Sequence, residues 1–461
     1  MRRKRILLYS HDTYGLGHLR RNLLLSHRFC QLPEEPGVLV ATGSPRTQAF
    51  DIPDHCDTFK LPAVSKQPDG TYRARTLPIT IEEVTRIRAD LIVSAYESFR
   101  PHLVLVDHAP TGMGGELVPL FRKLASESPE DRAKLVLGLR DIIDEPDRVR
   151  TEWEKADAWR WIDDLYDRIL VYGDPNLRTT AEDLGLAERL PGKVRHVGYL
   201  GRPSLEEAGL SSPYSEDEPS TPMILVTVGG GGDGQRVLRA FAKYLESVPR
   251  PAPFRTVMVT GPFLSPARFR EIQERVAATG HPVEVYRFTN RLTDYLTSAC
   301  GVISMAGYNS VTEILAARVP CLLVPREAPR REQSLRVERL HRIVPVQSCP
   351  MDSLDRATID AFVSNCLESP ERSPAPRVRL DGLTRAAAEV RSLLLDESSR
   401  SRPPRGSRNG GETSAISPSA KKVQPRSSSK DGRLSAFASL TEAVERMLGL
   451  PRRLFHGASR G

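Results

Sequence analysis

The stretch Ser304–Gln333, "SMAGYNSVTEILAARVPCLLVPREAPRREQ", decides the fold. It leaves a short apolar run at Gly301–Ser304 through a Gly-bearing turn and enters a helical pattern. A second apolar run follows at Cys321–Val324, and crowded charge ends it. Two short apolar runs flanking a helix form a βαβ unit, whose parallel strands are buried on both faces. Gly307 frees the turn, Asn309 or Ser310 can cap the helix, and Glu313 is expected within its first turn. Glu313 is either a capping acid or an acceptor for vicinal hydroxyls such as a ribose offers, with a phosphate at the same helix N-terminus. Glu332 and Gln333 fall in a loop at the same sheet edge, where they either meet solvent or hydrogen-bond a sugar.

The same alternation runs outward in both directions. Strands are expected at Arg5–Ser10, Val38–Thr42, Leu103–Asp107, Leu135–Arg140, Arg168–Tyr172 and Val194–Val197. A second set is expected at Met223–Val228, Thr256–Thr260, Val283–Arg287, Gly301–Ser304 and Cys321–Val324. Two such sets imply an α/β protein of two Rossmann-like, doubly wound domains, residues 1–202 and 223–397. The Ser-, Pro- and acid-rich segment 203–222 reads as the linker, so the strand ends of the two sheets can face each other across a cleft.

Beyond residue 397 the composition turns to Ser, Pro, Arg and Gly. Residues 398–432 are expected to be disordered, and 433–461 to form a short amphipathic helix. That helix either docks on the body or touches a membrane surface. Residues 401–461 hold 12 basic and 4 acidic side chains, whereas the preceding 400 hold 54 of each, so the net charge of +8 belongs to the tail. The body is formally neutral and aromatics are sparse in the tail, which argues against nucleic acid as a partner. Six cysteines without CxxC spacing or neighbouring histidines exclude a zinc framework and fit a reducing, cytoplasmic setting. No run of about eighteen apolar residues is present. The basic start "MRRKRILLYSHD" has too short an apolar part for a signal peptide and reads as the first strand.

Two further loops carry chemistry. In "LLYSHDTYGLGHLRRN", Gly15 and Gly17 allow close backbone approach at a helix N-terminus, and His11, Asp12 and His18 crowd one loop. These residues either pack the helix on its strand or bind and deprotonate a hydroxyl. In "ILVTVGGGGDGQRVL", Gly229, Gly231 and Gly234 satisfy GxGxxG, but the next strand ends in "VMVTGPF" without the acid a dinucleotide ribose needs. An amide nest for a phosphate or diphosphate, centred on Gly229, Gly230 and Gly231, is what remains. Asp107 and His108 end another strand of the first domain, in "VLVDHAPTGMGGEL".

The order of motifs resembles the GT-B glycosyltransferases of family 28 over roughly residues 1–395. "GLGHLRR" is similar to the family's acceptor loop, "VTVGGGGDG" to its diphosphate loop, and "MAGYNSVTEILAARVPCLLVP…REQSLR" to its donor signature. The resemblance implies a UDP-sugar donor: Glu313 on the uridine ribose, Gly307 and Ser310 at the phosphates, backbone near Phe288 at the uracil, and Gln333 at the sugar, with Asn309 and Glu332 expected beside them on the donor side. It places His18 on the acceptor side, where Gly15, Gly17, His11 and His108 are also expected, and it implies inversion at the anomeric carbon. Where the family shows Asp-Gln followed by Asn, this chain has Glu332, Gln333 and Arg336, which leaves the donor sugar open. No acceptor loop of the lipid II-forming member matches the Asp107–His108 segment, so the acceptor is a hydroxyl of unidentified kind, lipid-linked or small.

No Asp-x-Asp follows an apolar strand, so the expected reaction uses no cofactor and no metal, and helix N-termini and amides meet the leaving-group charge. His18 is the expected general base, with Asp12, Asp107 and His108 behind it. A nucleotide-sugar epimerase of the same architecture and a non-catalytic nucleotide-sugar-binding regulator are the alternatives. A cytoplasmic protein, peripheral at the inner face of the membrane if the tail binds there, completes the expectation.

Overall fold

The computed structural model describes residues 3–12, 16–47, 50–66, 71–201, 221–369, 373–374 and 376–396. Gly15, the linker except its last two residues, and the expected disordered and helical tail segments lie outside the described residues.

The first sheet comprises β1 (Arg5–Ser10), β2 (Gly37–Thr42), β3 (Cys56–Lys60), β6 (Leu103–Asp107), β7 (Lys134–Arg140), β8 (Arg168–Tyr172) and β9 (Val194–His196). A short antiparallel hairpin, β4 (Val64–Lys66) with β5 (Tyr72–Ala74), stands beside it. The second sheet comprises β10 (Met223–Thr227), β11 (Arg255–Val259), β12 (Val283–Tyr286), β13 (Gly301–Met305), β14 (Cys321–Val324) and β15 (Gln347–Ser348). All strand pairs in both sheets are parallel, in the orders β3-β2-β1-β6-β7-β8-β9 and β12-β11-β10-β13-β14-β15. Central strands such as Leu103–Asp107 and Met223–Thr227 are buried throughout, as helices on both faces require.

The expected strands are all present, with ends shifted by no more than a residue. The strands not anticipated are β3, the hairpin and β15. Strands β3 and β15 sit at sheet edges, where half-exposed polar residues ("CDTFK", "QS") erase the apolar run that marks a central strand. The helix Gly382–Leu395 returns to the first domain. Its Arg391 pairs with Glu34 and its Glu389 with Arg168, both at 2.8–2.9 Å, and Gly382 N–H donates to Tyr199 C=O. A continuous apolar core therefore runs from Leu8 and Phe29 through Tyr199 and Tyr308 to Val390 and Leu394. Among the described residues, no helix is long and apolar enough to cross a membrane.

Candidate active site

Each sheet reverses its strand order once, between β1 and β6 and between β10 and β13. The crevice beyond the carboxyl ends at such a reversal is where open α/β sheets bind ligands. Residues from both reversals line a single cavity of about 570 Å³, a volume suited to a small organic ligand.

The second domain contributes Gly229 and Gly230 after β10, Gly261 after β11, Phe288 after β12, and Gly307 to Ser310 after β13. Gly307 is the N-cap of the helix Tyr308–Ala317 and no side chain caps it, so the first N–H groups of that helix are left for a ligand. Asn309 or Ser310 was expected to cap it. Instead Asn309 Nδ2 donates across the cleft to Gly17 C=O at 3.2 Å. A Cβ on Gly307 would meet nothing within 4 Å, so its space opens to the cavity. Gly231 plays a different part from the expected one. It sits at φ +85°, and a Cβ there would lie 2.3 Å from Thr260 C=O, so it lets two strand-end loops touch rather than lining the cavity. Phe288 stands at the rim, edge-on to Phe50 of the first domain at 5.9 Å.

Glu313 lies in the second turn of its helix, not the first, because the helix begins at Tyr308. The side chain is buried and turned toward the first domain. Arg20, which lines the cavity, donates to Oε1, while Oε2 is buried without a partner. An acid capping its own helix would not reach across domains, so the capping reading falls.

From the first domain come Leu16, Gly17, His18, Arg20, Arg21 and Arg140. Because β1 and β6 are neighbours, the helix Gly17–Cys30 starts beside the end of β6. His18 Nδ1 lies 2.5 Å from Asp107 Oδ2, and Arg21 donates to both Asp107 oxygens at 2.7–2.9 Å. An ionised carboxylate only accepts, so Nδ1 carries the proton and Nε2 is the basic nitrogen, without a partner among the described residues. Burial would raise the Asp107 carboxyl, but Arg21 and then His18 hold it well below the usual carboxylate range. Burial lowers His18 below its ordinary value and so favours the neutral imidazole, an effect that Asp107 opposes only in part. His11 and His108 complete a cluster with ring centroids 5.6 and 5.1 Å from that of His18. His108 is driven well down by burial and by Arg140.

Asp12, expected as a reserve base, is fully engaged in structure. Its carboxylate accepts from Leu19 N–H at 3.1 Å and from the Thr42 hydroxyl at 2.6 Å, tying the helix start to β2. Burial raises its carboxyl despite the Thr42 bond.

The charge crowded after β14 does not line the cavity. Arg326 N–H donates to Gln333 Oε1 at 3.1 Å, and the Arg326 guanidinium pairs with Glu332, so both residues expected in a sugar-binding loop instead open the helix Glu332–Leu340 and hold the loop before it. The neighbouring arginines cross to the first domain. Arg330 pairs with Glu152 at 2.8 Å and Asp144 at 3.2 Å, Arg331 with Glu145 at 2.7 Å, and Arg339 with Asp183 at 2.7 Å. Arg336, at the family's Asn position, is fully buried and bidentate to Asp141, both bonds at 2.7 Å. This segment is an interdomain clasp. Arg20, Arg21 and Arg140 were missed as site residues, although "HLRR" stood in the acceptor motif and Arg140 ends the otherwise apolar "KLVLGLR".

Residues 223–376 match the glycosyltransferase family 28 C-terminal domain. The second domain is similar to that family's C-terminal domain over these residues. A Methanosarcina mazei protein named as a glycosyltransferase is 24% identical over 264 residues, which span 56% of this chain and 63% of that one. A Methylorubrum extorquens protein is 26% identical over 220 residues, 47% of this chain and 56% of its own. It is named a UDP-N-acetylglucosamine–N-acetylmuramyl-(pentapeptide) pyrophosphoryl-undecaprenol N-acetylglucosamine transferase. The chain thus spans less than two thirds of these relatives. A calicheamicin glycosyltransferase superposes with a TM-score of 0.54 at 17% identity, covering 86% of this chain and 99% of its own. A Listeria monocytogenes protein described as a UDP-N-acetylglucosamine 2-epimerase superposes with a TM-score of 0.56 at 15% identity, covering 87% and 99%. The architecture is the GT-B fold.

Proposed function

We propose that this family 28 domain and its partner domain form a glycosyltransferase that moves a hexose-type sugar from a UDP-sugar to an acceptor hydroxyl. The observation that carries it is the single cavity where an uncapped helix N-terminus and the Gly229–Gly230 loop face a neutral His18 backed by Asp107. The N–H groups of one wall suit a diphosphate, and a basic Nε2 on the other suits an attacking hydroxyl.

The donor diphosphate lies on the amides of Gly229, Gly230 and the first turn of Tyr308–Ala317. Uridine extends toward Phe288, and its ribose hydroxyls take the place of Arg20 on Glu313, whose Oε2 already lacks a donor. His18 Nε2 takes the acceptor proton while Asp107 holds the ring and stabilises the imidazolium. Attack at the anomeric carbon breaks its bond to the departing UDP oxygen, with inversion. Positive charge for the leaving group comes from the chain itself.

Calorimetric titration with UDP tests the donor half. Glu313→Ala should weaken UDP by about ten- to a hundredfold, the value of a charge-assisted pair of hydrogen bonds. Unchanged affinity ends the assignment. His18→Ala should leave UDP affinity intact and lower turnover by about 10²-fold or more in a panel of UDP-sugars and hydroxyl acceptors. An altered donor sugar formed without any acceptor would replace transfer with epimerisation.

A further inference from the structure

The cations on the cavity wall are spent unequally. Arg21 is held by both oxygens of Asp107, Arg20 by Glu313, and Arg287 by Leu264 C=O. Arg140, at the carboxyl end of β7 and on the same wall as His18, has no hydrogen bond or ion pair among the described residues. Its Nε is buried outright. Beside it His108 Nδ1 is also buried without a partner. Arg140 is half-buried, so part of its guanidinium faces the cavity with no acceptor among the described residues, and burial together with Arg21 lowers it to about 10. Three carboxylates lie about this corner and none hydrogen-bonds Arg140: Asp107 is occupied by Arg21 and His18, Asp141 by Arg336, and Glu332 by Arg326. Arg140 is the cation of this wall that no carboxylate hydrogen-bonds among the described residues.

We propose that Arg140 is the anchor of an oxyanion subsite on the acceptor side of the cavity, and that the acceptor carries a phosphate or carboxylate group beside its reacting hydroxyl. The donor diphosphate does not need Arg140, because the glycine loop and helix N-terminus that suit it belong to the opposite domain. An oxyanion on Arg140 would fork onto two of its N–H groups and hold the acceptor next to His18. This rests on the glycosyl-transfer reading only for the word acceptor; the anion site itself does not.

The test uses the full chain saturated with UDP and titrates in inorganic phosphate in one arm and acetate in the other. Wild-type protein should bind one of them alongside UDP in the millimolar range. A phosphate preference identifies a phosphorylated acceptor, an acetate preference a carboxylate. Arg140→Gln should weaken that binding by about tenfold or more, and Arg140→Lys, which keeps the charge, should retain most of it. Both variants should bind UDP as wild type does. The proposal is overturned if neither anion binds at about 50 mM, if Arg140→Gln leaves anion binding unchanged, or if the anion competes with UDP. It is equally overturned if Arg140→Gln weakens UDP instead, since Arg140 would then serve the donor. If UDP itself does not bind while Arg140-dependent anion binding persists, the donor reading fails and the subsite stands.

Discussion

Arg336 gives the sharpest prediction. Its guanidinium is wholly buried between the two domains, donating twice to Asp141, once to Ala306 C=O at 2.9 Å and once to Ile142 C=O at 3.3 Å. Asp141 keeps two other donors, Tyr199 O–H at 3.0 Å and Ile142 N–H at 2.6 Å. Arg336→Met preserves the apolar stem but strands a buried carboxylate, a change that destabilises by about 3–5 kcal/mol. The two remaining bonds to Asp141 place the effect near about 3 kcal/mol, and the orphaned Ala306 carbonyl adds about 1 kcal/mol. Asp141→Asn in the same chain removes the stranded charge, so the double variant should recover at least about half of the loss. Urea unfolding followed by tryptophan fluorescence and by far-ultraviolet circular dichroism measures both quantities. The three tryptophans, Trp153, Trp159 and Trp161, all lie in the first domain, whereas dichroism reports both. In wild type the two transitions should coincide; in Arg336→Met they should separate as the domains uncouple. A loss under about 1 kcal/mol, or a double variant no more stable than the single, would refute the clasp.

Four further outcomes follow from the geometry and the buried charges. Gly231→Ala, at φ +85° and with its Cβ 2.3 Å from Thr260 C=O, should destabilise the fold by more than about 2 kcal/mol in urea unfolding. Gly307→Ala, with open space at its Cβ, should be milder than about 1 kcal/mol and should show its effect in UDP titration instead. Phe288→Ala should weaken UDP by about 0.5–1.5 kcal/mol, with no change in the urea midpoint because the ring is 38% exposed. For pH, His108 is depressed in the fold, so below the unfolded value near 6.5 the unfolded chain takes up a proton that the folded one refuses. That stability is fully present above about pH 6.5 and falls by up to about 1.4 kcal/mol per unit as pH drops. His108→Asn, whose residue tolerates the local φ of +73°, should flatten this slope in unfolding curves between pH 7 and 5.

Central strands were legible because burial on both faces writes an uninterrupted apolar run, as in "RILLYS" and "LVLVD". Glycine loops were legible because strand, Gly and helix occur in immediate succession. Edge strands β3 and β15 carry no such run. Within the candidate site, His18 and Asp107 were both named from their loops, but not that one orients the other. That pairing depends on β1 and β6 being neighbours although Ser10 and Leu103 lie 93 positions apart in sequence. Glu332 and Gln333 were read as sugar ligands from their position in a motif. The fold turned them inward onto Arg326 and gave the adjoining arginines to the other domain.

By itself the amino-acid order determined what local patterns can determine: two parallel sheets, the loops that end their strands, and a helix N-terminus ready for an anion. Which charges remain unspent was decided only in three dimensions. Asp141 and Arg336 lie 195 residues apart and cancel, while Arg140, one residue before Asp141, makes no hydrogen bond or ion pair among the described residues. Charge neutralisation acts through space at a few ångströms and in low dielectric, so neighbours in sequence can have opposite fates.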